Sequence, residues 1–151
     1  MKQKLCVFNI TRESFLSLAV TPADTHLMRL RGRLGRMKLK SDEGIWLLPS
    51  RGIHTIGMLF AIDLIYLDES NRVLDVVEHL GTCRISPLRM KCASVLELPT
   101  RTIYSSRTQV GDELLICSPE EMVSYEGKGR NSSVATVELP RSALFIVDGN
   151  L

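Results

Sequence analysis

The chain has 151 residues, of which 44% are hydrophobic and 24% are charged. This length and composition are typical of one globular domain with a single hydrophobic core. The net charge of only +2 gives no electrostatic reason to expect a protein that binds nucleic acid or a membrane surface.

The cysteines and the N-terminus indicate a reduced, cytoplasmic protein. Cys6, Cys83, Cys92 and Cys117 include no C-x-x-C pair, so a zinc site or a redox motif is not predicted. The N-terminal lysines are not followed by the apolar stretch and small-residue cleavage site of a signal peptide. No window approaches the roughly 18 apolar residues of a transmembrane segment. We therefore expect free thiols.

The first third of the chain predicts a hairpin followed by a helix. KLCVFNI (4–10) and SFLSLAV (14–20) are short β-branched and aromatic runs that predict two paired strands. Thr21 is a suitable N-cap and Pro22 suits the first helical position, and Gly35 is a suitable end. The apolar residues of this helix follow a 3-4-3 spacing: Leu27, Leu30, Leu34 and Met37.

The remainder of the domain predicts strands. Five apolar runs lie at residues 44–49, 60–68, 73–80, 92–99 and 110–117. The second run, FAIDLIYLD, is almost continuously apolar, which is typical of a strand buried on both faces. The turn cluster ESNR joins it to the third run and predicts a hairpin. The polar stretch between Pro99 and Val110 predicts a loop.

These elements predict one mostly β domain over residues 1–117. Its expected architecture is a compact β-sandwich, jelly-roll-like or barrel-like sheet with one helix in the N-terminal half. Residues 118–151 are interpreted as a partly flexible C-terminal tail, with a linker at 126–133. The apolar segment VATVELPRSALFIVD in this tail can add a further strand or fray.

Three motifs in order resemble the domain-of-unknown-function family 192, also known as uncharacterised protein family 0127. HTIGMLFAIDLIYLD (54–68) resembles the family pattern HT-x-G-M-x-F-P-I-D-hydrophobic-F-L-D. ASVLELP (93–99) and QVGDELLI (109–116) are similar to its A-x-x-VLELPAG and GD segments. RLRGRLGR (29–36) is similar to its R-x-x-G-L-L-G-R element. The likeness covers about residues 5–117.

The chain departs from the family pattern in places. Ala61 stands where the family has proline, and Arg101 and Thr102 replace the Ala-Gly expected after LP. Ser50 follows Pro49 where relatives often have cysteine. Thiol chemistry is therefore not carried over to Ser50. The resemblance implies a small, mostly β, jelly-roll-like domain and no particular activity. Relatives that stand alone or are exported imply accessory roles.

His54 and Asp63 are candidate site residues because they interrupt the apolar stretch GIHTIGMLFAID (52–63). A buried carboxylate is costly unless it is paired or hydrogen-bonded. One hypothesis pairs Asp63 with His54 as a general base or a ligand site, in a pocket with Thr55 and Met58. In the structural alternative, which we favour, Asp63 binds backbone N–H groups at a bend and His54 fixes a loop.

A metal site or cofactor is not expected. His26, His54 and His79 form no i, i+2 or i, i+4 pair, and a protein metal site needs three or four ligands. Asp63 and Asp68 are five positions apart, so on a regular strand they face opposite sides.

The predicted helix carries a run of basic residues without an acid: Arg29, Arg31, Arg33, Arg36, Lys38 and Lys40. The first four form a candidate anion-binding face. The alternative, which we favour, is a solvated face opposite an apolar stripe. No aromatic residue is interleaved with this basic run to stack on single-stranded nucleic acid, so no nucleic-acid partner is expected.

Two functions from different classes follow from these residues. The favoured one is a non-enzymatic binding or protein-interaction module, with a groove near His54 and Asp63 for a protein, a peptide or a small-molecule ligand. The alternative is a small hydrolase-like enzyme in which Asp63 orients His54 as general base.

Overall fold

The computed structural model describes residues 3–23 and 39–129. The described residues form seven strands, which are β1 (Leu5–Asn9), β2 (Ser14–Ala23), β3 (Glu43–Leu47), β4 (Ile62–Leu67), β5 (Val73–Leu80), β6 (Ser94–Pro99) and β7 (Leu114–Cys117). The same residues include two helices, α1 (Thr102–Ser106) and α2 (Pro119–Gly129). The mostly β fold predicted from the sequence is confirmed. Within the described residues, no helix has the length and apolar character needed to cross a membrane.

All seven strands belong to one sheet in the order β5-β4-β6-β3-β2-β1-β7. Strands β2 and β3 are parallel, and the other neighbours are antiparallel. The sheet curls into a half-barrel, so the barrel-like alternative describes it best. The predicted hairpins β1–β2 and β4–β5 are both present.

The two edge strands approach each other at one end of the sheet. An isolated bridge joins Arg72 to Glu113, and the Val73 N–H donates to the Asp112 carbonyl at 2.8 Å. The Gly111 N–H donates back to the Val73 carbonyl at 2.8 Å. These bonds tie the start of β5 to the segment before β7, and we call this region the closure end.

A buried polar network supports the closure end. Asp112 is 2% exposed and accepts hydrogen bonds from the Asn9 amide at 2.9 Å and from Arg12 Nε at 3.0 Å. The Gln109 N–H donates to the same carboxylate at 2.9 Å. Burial raises the pKa of Asp112, but the bonds from Arg12, Asn9 and Gln109 outweigh it and hold the pKa below its ordinary value. The turn at Gly111 and Asp112, just before β7, therefore organises sheet closure.

Both faces of the sheet are covered by apolar residues, and β4 shows why its sequence is so apolar. All six residues of β4 are buried. Ile65 and Leu67 point into the inner cluster that joins most strands of the curled sheet. Ile62, Leu64 and Tyr66 point into a second cluster on the outer face. Alternate side chains of a strand face opposite sides, so a strand buried on both faces loses the polar alternation.

The predicted helix start at Thr21 and Pro22 is wrong, because both residues extend strand β2. They pair in parallel with Ile45 and Trp46 of β3. Strand β1 begins at Leu5, which pairs with Val20, so β1 does not reach Thr21 and Pro22. This part of β2 therefore has a strand partner on one side only, where a proline is tolerated. The rest of the predicted helix, over residues 24–38, lies outside the described residues.

Two helices occur where the sequence predicted a loop and the start of a linker. Helix α1 lies in the predicted loop between β6 and β7, and α2 extends to Gly129, past the predicted linker start at 126. Helix α2 begins with a capping box: the Glu121 N–H donates to Ser118 Oγ at 3.2 Å, and the Ser118 N–H donates to the Glu121 carboxylate at 2.8 Å. Pro119 follows the cap, as expected for a first helical residue.

Candidate functional site

Asp63 is fully buried in β4, and its carboxylate binds two backbone N–H groups. Oδ1 accepts from the His79 N–H at 2.9 Å, and Oδ2 accepts from the Ile103 N–H at 3.0 Å. The backbone of His79 is left-handed with φ 52°, and Ile103 lies in the first turn of α1, where N–H groups lack helical partners. The carboxylate therefore fixes a bend in β5 and the start of α1, as the structural interpretation predicted.

His54 lies on the exposed surface, in an isolated bridge with Ile85. Asp63 is 0% exposed on the inner face of the sheet. The buried charge of Asp63 is explained by main-chain donors without an imidazole. The Asp63–His54 general base stays a prediction from the sequence.

Thr55 and Met58, the other two candidate pocket residues, are buried. Thr55 Oγ1 donates to the Gly81 carbonyl at 2.6 Å and accepts from the Arg84 N–H at 2.9 Å. Met58 packs in the outer-face cluster with Ile62. Both side chains face the protein, so of the four candidates the structure exposes His54.

Thr55 belongs to a layer of two irregular segments, residues 48–61 and 81–93, which we call the loop pair. The segments are held together by backbone bonds such as Thr55 N–H to the Arg84 carbonyl at 2.8 Å and Ser86 N–H to the Ile53 carbonyl at 2.9 Å. From the sheet below, Tyr66 Oη donates to the Pro87 carbonyl at 2.8 Å. These hydrogen bonds hold the two segments of the loop pair to each other and to the outer face of the sheet.

The loop pair exposes an unusual number of apolar side chains. The described residues include ten exposed large hydrophobic residues, and six of them are in the loop pair, which has 27 of the 112 described positions. These six are Leu48, Ile56, Leu59, Ile85, Leu88 and Met90. Ile85 is 76% exposed and Met90 is 71% exposed. These exposed apolar side chains are concentrated in two short segments of the described chain.

The charge of the loop pair has one sign. It contains four exposed cationic residues and no aspartate or glutamate. The four are Arg51, Arg84, Arg89 and Lys91. Arg89 is held from below by Asp75 of β5, with Nε at 2.6 Å from Oδ2. The apolar side chains of the loop pair are therefore accompanied by cationic residues alone within these two segments.

An open cleft of about 1080 Å3 lies at the end of the loop pair nearest the β4–β5 turn. It is lined by Arg51, Leu88 and Lys91 of the loop pair and by Asp68 and Glu69 of the turn. Asp68 Oδ1 accepts the Ser70 and Arg72 N–H groups at 2.8 and 2.9 Å. The cleft therefore combines cations of the loop pair with acids of the β4–β5 turn.

The candidate anion-binding residues Arg29, Arg31, Arg33 and Arg36 lie outside the described residues. Their role stays a prediction. Among the described residues, no three histidine, cysteine or acidic side chains are grouped as metal ligands would be.

The family model described as "Uncharacterized ACR, COG1430", the domain-of-unknown-function family 192, matches residues 7–116. The chain belongs to this family, as its three motifs predicted. No curated protein matches the chain.

Two solved structures share the fold. One, from Sinorhizobium meliloti 1021, is described as a "putative transcription regulator"; it is 18% identical, with a TM-score of 0.65 over 77% of this chain and 94% of that one. The other is a protein of unknown function from Novosphingobium aromaticivorans DSM 12444. It is 17% identical, with a TM-score of 0.62 over 74% of this chain and 83% of that one. At these identities the likeness concerns the fold alone.

The second segment of the loop pair is not predicted from the sequence. Residues 81–93 read GTCRISPLRMKCA, with no acid and no period of two or 3.6. Apolar residues isolated between basic ones, such as Ile85, Leu88 and Met90, were the available signal. Their exposure depends on the path of the segment across the sheet, which no local pattern specifies.

Proposed function

We propose that this domain is a non-enzymatic protein-interaction module, and that the loop pair binds a partner-protein segment with apolar and acidic side chains. The observation that carries the proposal is the grouping of exposed Ile85, Leu88 and Met90 with other apolar residues on one small surface. Burying such side chains against a partner contributes about 25 cal/mol per Å2 of apolar area. Within residues 3–23 and 39–129, no other part of the fold covers these three side chains.

The chemistry of the partner follows from the charge of the surface. Arg51, Arg84 and Lys91 are exposed in the same two segments as the apolar residues, and neither segment contains an acid. Acidic side chains in the partner are therefore favoured and basic ones are disfavoured. His54 lies on the same surface. Of the two residues that defined the predicted groove, it is the one included in the proposed binding surface.

The loop pair is also suited to binding without large rearrangement. Thr55, Ser86 and Tyr66 make hydrogen bonds that hold the two segments in place. A surface that is ordered before association loses less conformational entropy on binding. This favours a preformed docking site over one that folds around its partner.

The test starts from random 12-residue peptides displayed on phage and selected against the immobilised full chain. The enriched peptides are then synthesised and titrated by fluorescence anisotropy. We expect peptides rich in leucine, isoleucine or phenylalanine together with aspartate or glutamate, and affinities that fall with added salt. The triple variant I85S/L88S/M90S should weaken binding at least tenfold, since exposed apolar anchors dominate such contacts.

The matched control is the triple variant Y104S/V110S/V123S, which removes exposed apolar residues elsewhere on the domain and should bind as the native protein does. Circular dichroism verifies that both variants are folded. The proposal is overturned if no peptide is enriched, or if enriched peptides bind the first variant with unchanged affinity. It is also overturned if phosphatidylglycerol vesicles bind the loop pair while peptides do not.

A further inference from the structure

Cys6 and Cys117 lie directly opposite each other in neighbouring strands. The antiparallel register of β1 and β7 pairs the Cα of Cys6 with that of Cys117. Opposed residues of an antiparallel pair have their Cα atoms about 4.5–5.5 Å apart and point to the same face. Disulfides span Cα separations of about 4.4–6.8 Å. The backbone of the sheet therefore already meets the distance requirement of a disulfide.

Both thiols are free and lie beneath helix α2. Cys6 is 5% exposed and Cys117 is 8% exposed, and the two form one cluster with Phe8 and Met122. The Cys6 thiol donates a weak hydrogen bond to the Leu18 carbonyl at 3.7 Å. A rotation of the Cys6 side chain toward β7 exchanges this one weak bond for a covalent one.

We propose that Cys6 and Cys117 are a modification site at which a peroxide-class oxidant forms an intramolecular disulfide between β1 and β7. One thiolate attacks a peroxide oxygen, breaks the O–O bond and becomes a sulfenic acid, with release of one water after protonation. The second thiolate attacks the sulfenic sulfur and displaces its oxygen as a second water. In total, two thiols and one hydrogen peroxide give one disulfide and two water molecules.

The other two cysteines have different surroundings. Cys83 is exposed on the loop pair, and the buried Cys92 donates its thiol to the Ser94 carbonyl at 2.9 Å. Among the described strand pairs, no other cysteine faces a cysteine. The cross-strand geometry thus distinguishes Cys6 and Cys117 from Cys83 and Cys92.

Burial of the two thiols lowers the rate of this oxidation. Burial and the neighbouring charges of Cys6 and Glu121 raise the pKa of Cys117 to about 11, and burial together with Glu120 and Glu126 raises the pKa of Cys6. The thiolate is the reactive form, so oxidation is slow at neutral pH. Below these pKa values the thiolate fraction rises about tenfold per pH unit, and the oxidation rate should rise with it between pH 7 and pH 9.

The bond would link the first strand of the domain to its last. Residues 6 and 117 enclose nearly the whole described domain, and a disulfide that closes a loop of about 100 residues strongly restricts the unfolded chain. We expect the melting temperature to rise by about 10 °C or more on oxidation. Reduction with dithiothreitol should reverse the shift.

The experiment uses the full chain with C83S/C92S, which leaves the Cys6–Cys117 pair as its only thiols. After treatment with hydrogen peroxide at pH 8.5, peptide mass spectrometry without reduction should find the two segments linked, with a loss of two hydrogens. The control variant C83S/C92S/C117S should show neither the link nor the higher melting temperature. If C83S/C92S does not fold, native protein alkylated at the exposed Cys83 replaces it.

Three outcomes overturn the proposal. The first is two free thiols counted in denatured protein after oxidation. The second is sulfinic acid on Cys6 or Cys117 without a cross-link, and the third is a disulfide between two chains in place of one within the chain.

Discussion

The interior of the sheet and the loop pair depart from the usual distribution of polar and apolar residues in opposite directions. Inside, Asp63, Asn9 and Asp112 are polar and almost fully buried. On the loop pair, Ile85 and Met90 are apolar and mostly exposed. Burying a charged group and exposing a large apolar group are both unfavourable for an isolated domain.

The two regions differ in what compensates for these costs. Asp63 and Asp112 accept main-chain and side-chain hydrogen bonds that shape the bend at His79 and the closure end. The fold itself therefore explains the buried carboxylates. Among the described residues, no comparable hydrogen bonding accounts for the exposed apolar side chains of the loop pair. They are the side chains that we propose a partner protein covers.

Replacement of Asp63 should have the largest effect on the stability of the fold. Asp63→Ala removes the acceptor of the partly buried His79 N–H and of the buried Ile103 N–H, which should cost about 2–5 kcal/mol in the free energy of unfolding. Urea denaturation measures this loss. The matched control is Asp68→Ala, because Asp68 also accepts two backbone N–H groups but in an open turn where water can replace it. Equal losses for the two variants would contradict the structural role of Asp63.

The second prediction concerns the pH dependence of the closure end. Asp112→Asn keeps the shape but removes the charge that Arg12 and Asn9 bind, and it should cost about 1–3 kcal/mol at pH 7. Because the folded pKa of Asp112 is lowered, its stabilisation is present above its ordinary pKa of 3.8 and is lost as the pH falls toward the folded value. Urea midpoints of both proteins should therefore converge as the pH falls below 3.8. A constant difference would contradict this assignment.

The third prediction concerns the order of the loop pair and is the smallest. Thr55→Val removes the hydroxyl that joins Gly81 and Arg84, and it should lower the local stability by about 1–2 kcal/mol. The measurement is native-state hydrogen exchange, in which the Arg84 amide should exchange faster. Thr82→Val, an exposed change in the same segment, serves as the control. Unchanged exchange at Arg84 would show that other contacts hold the two segments together.

Much of the fold was predictable because it depends on local patterns. The apolar runs and turn clusters predicted both hairpins, and the continuous apolar run at residues 60–68 predicted a strand buried on both faces. The motifs around His54 and Asp63 predicted the family. Helix α2 was missed although its capping box, Ser118 followed by Glu121, is visible in the sequence.

The predictions from the sequence were wrong or incomplete where residues far apart in sequence determine the local structure. Thr21 and Pro22 have the local character of a helix start, but pairing with β3 extends β2 through them. A parallel partner more than twenty residues away gives no local signal. In the same way, the backbone acceptors and donors around Thr55 and Asp63 could not be assigned before the path of residues 79–103 was known.

The sequence by itself determined the strand content, the family and the need to satisfy a carboxylate within an apolar strand. These depend on side-chain character and short-range spacing, which can be read directly from the amino-acid sequence. The tertiary structure decided that Asp63 binds main-chain N–H groups, that Cys6 faces Cys117, and that the loop pair presents its apolar residues outward. Each of these depends on sheet order and register, which bring residues far apart in sequence to within bonding distance.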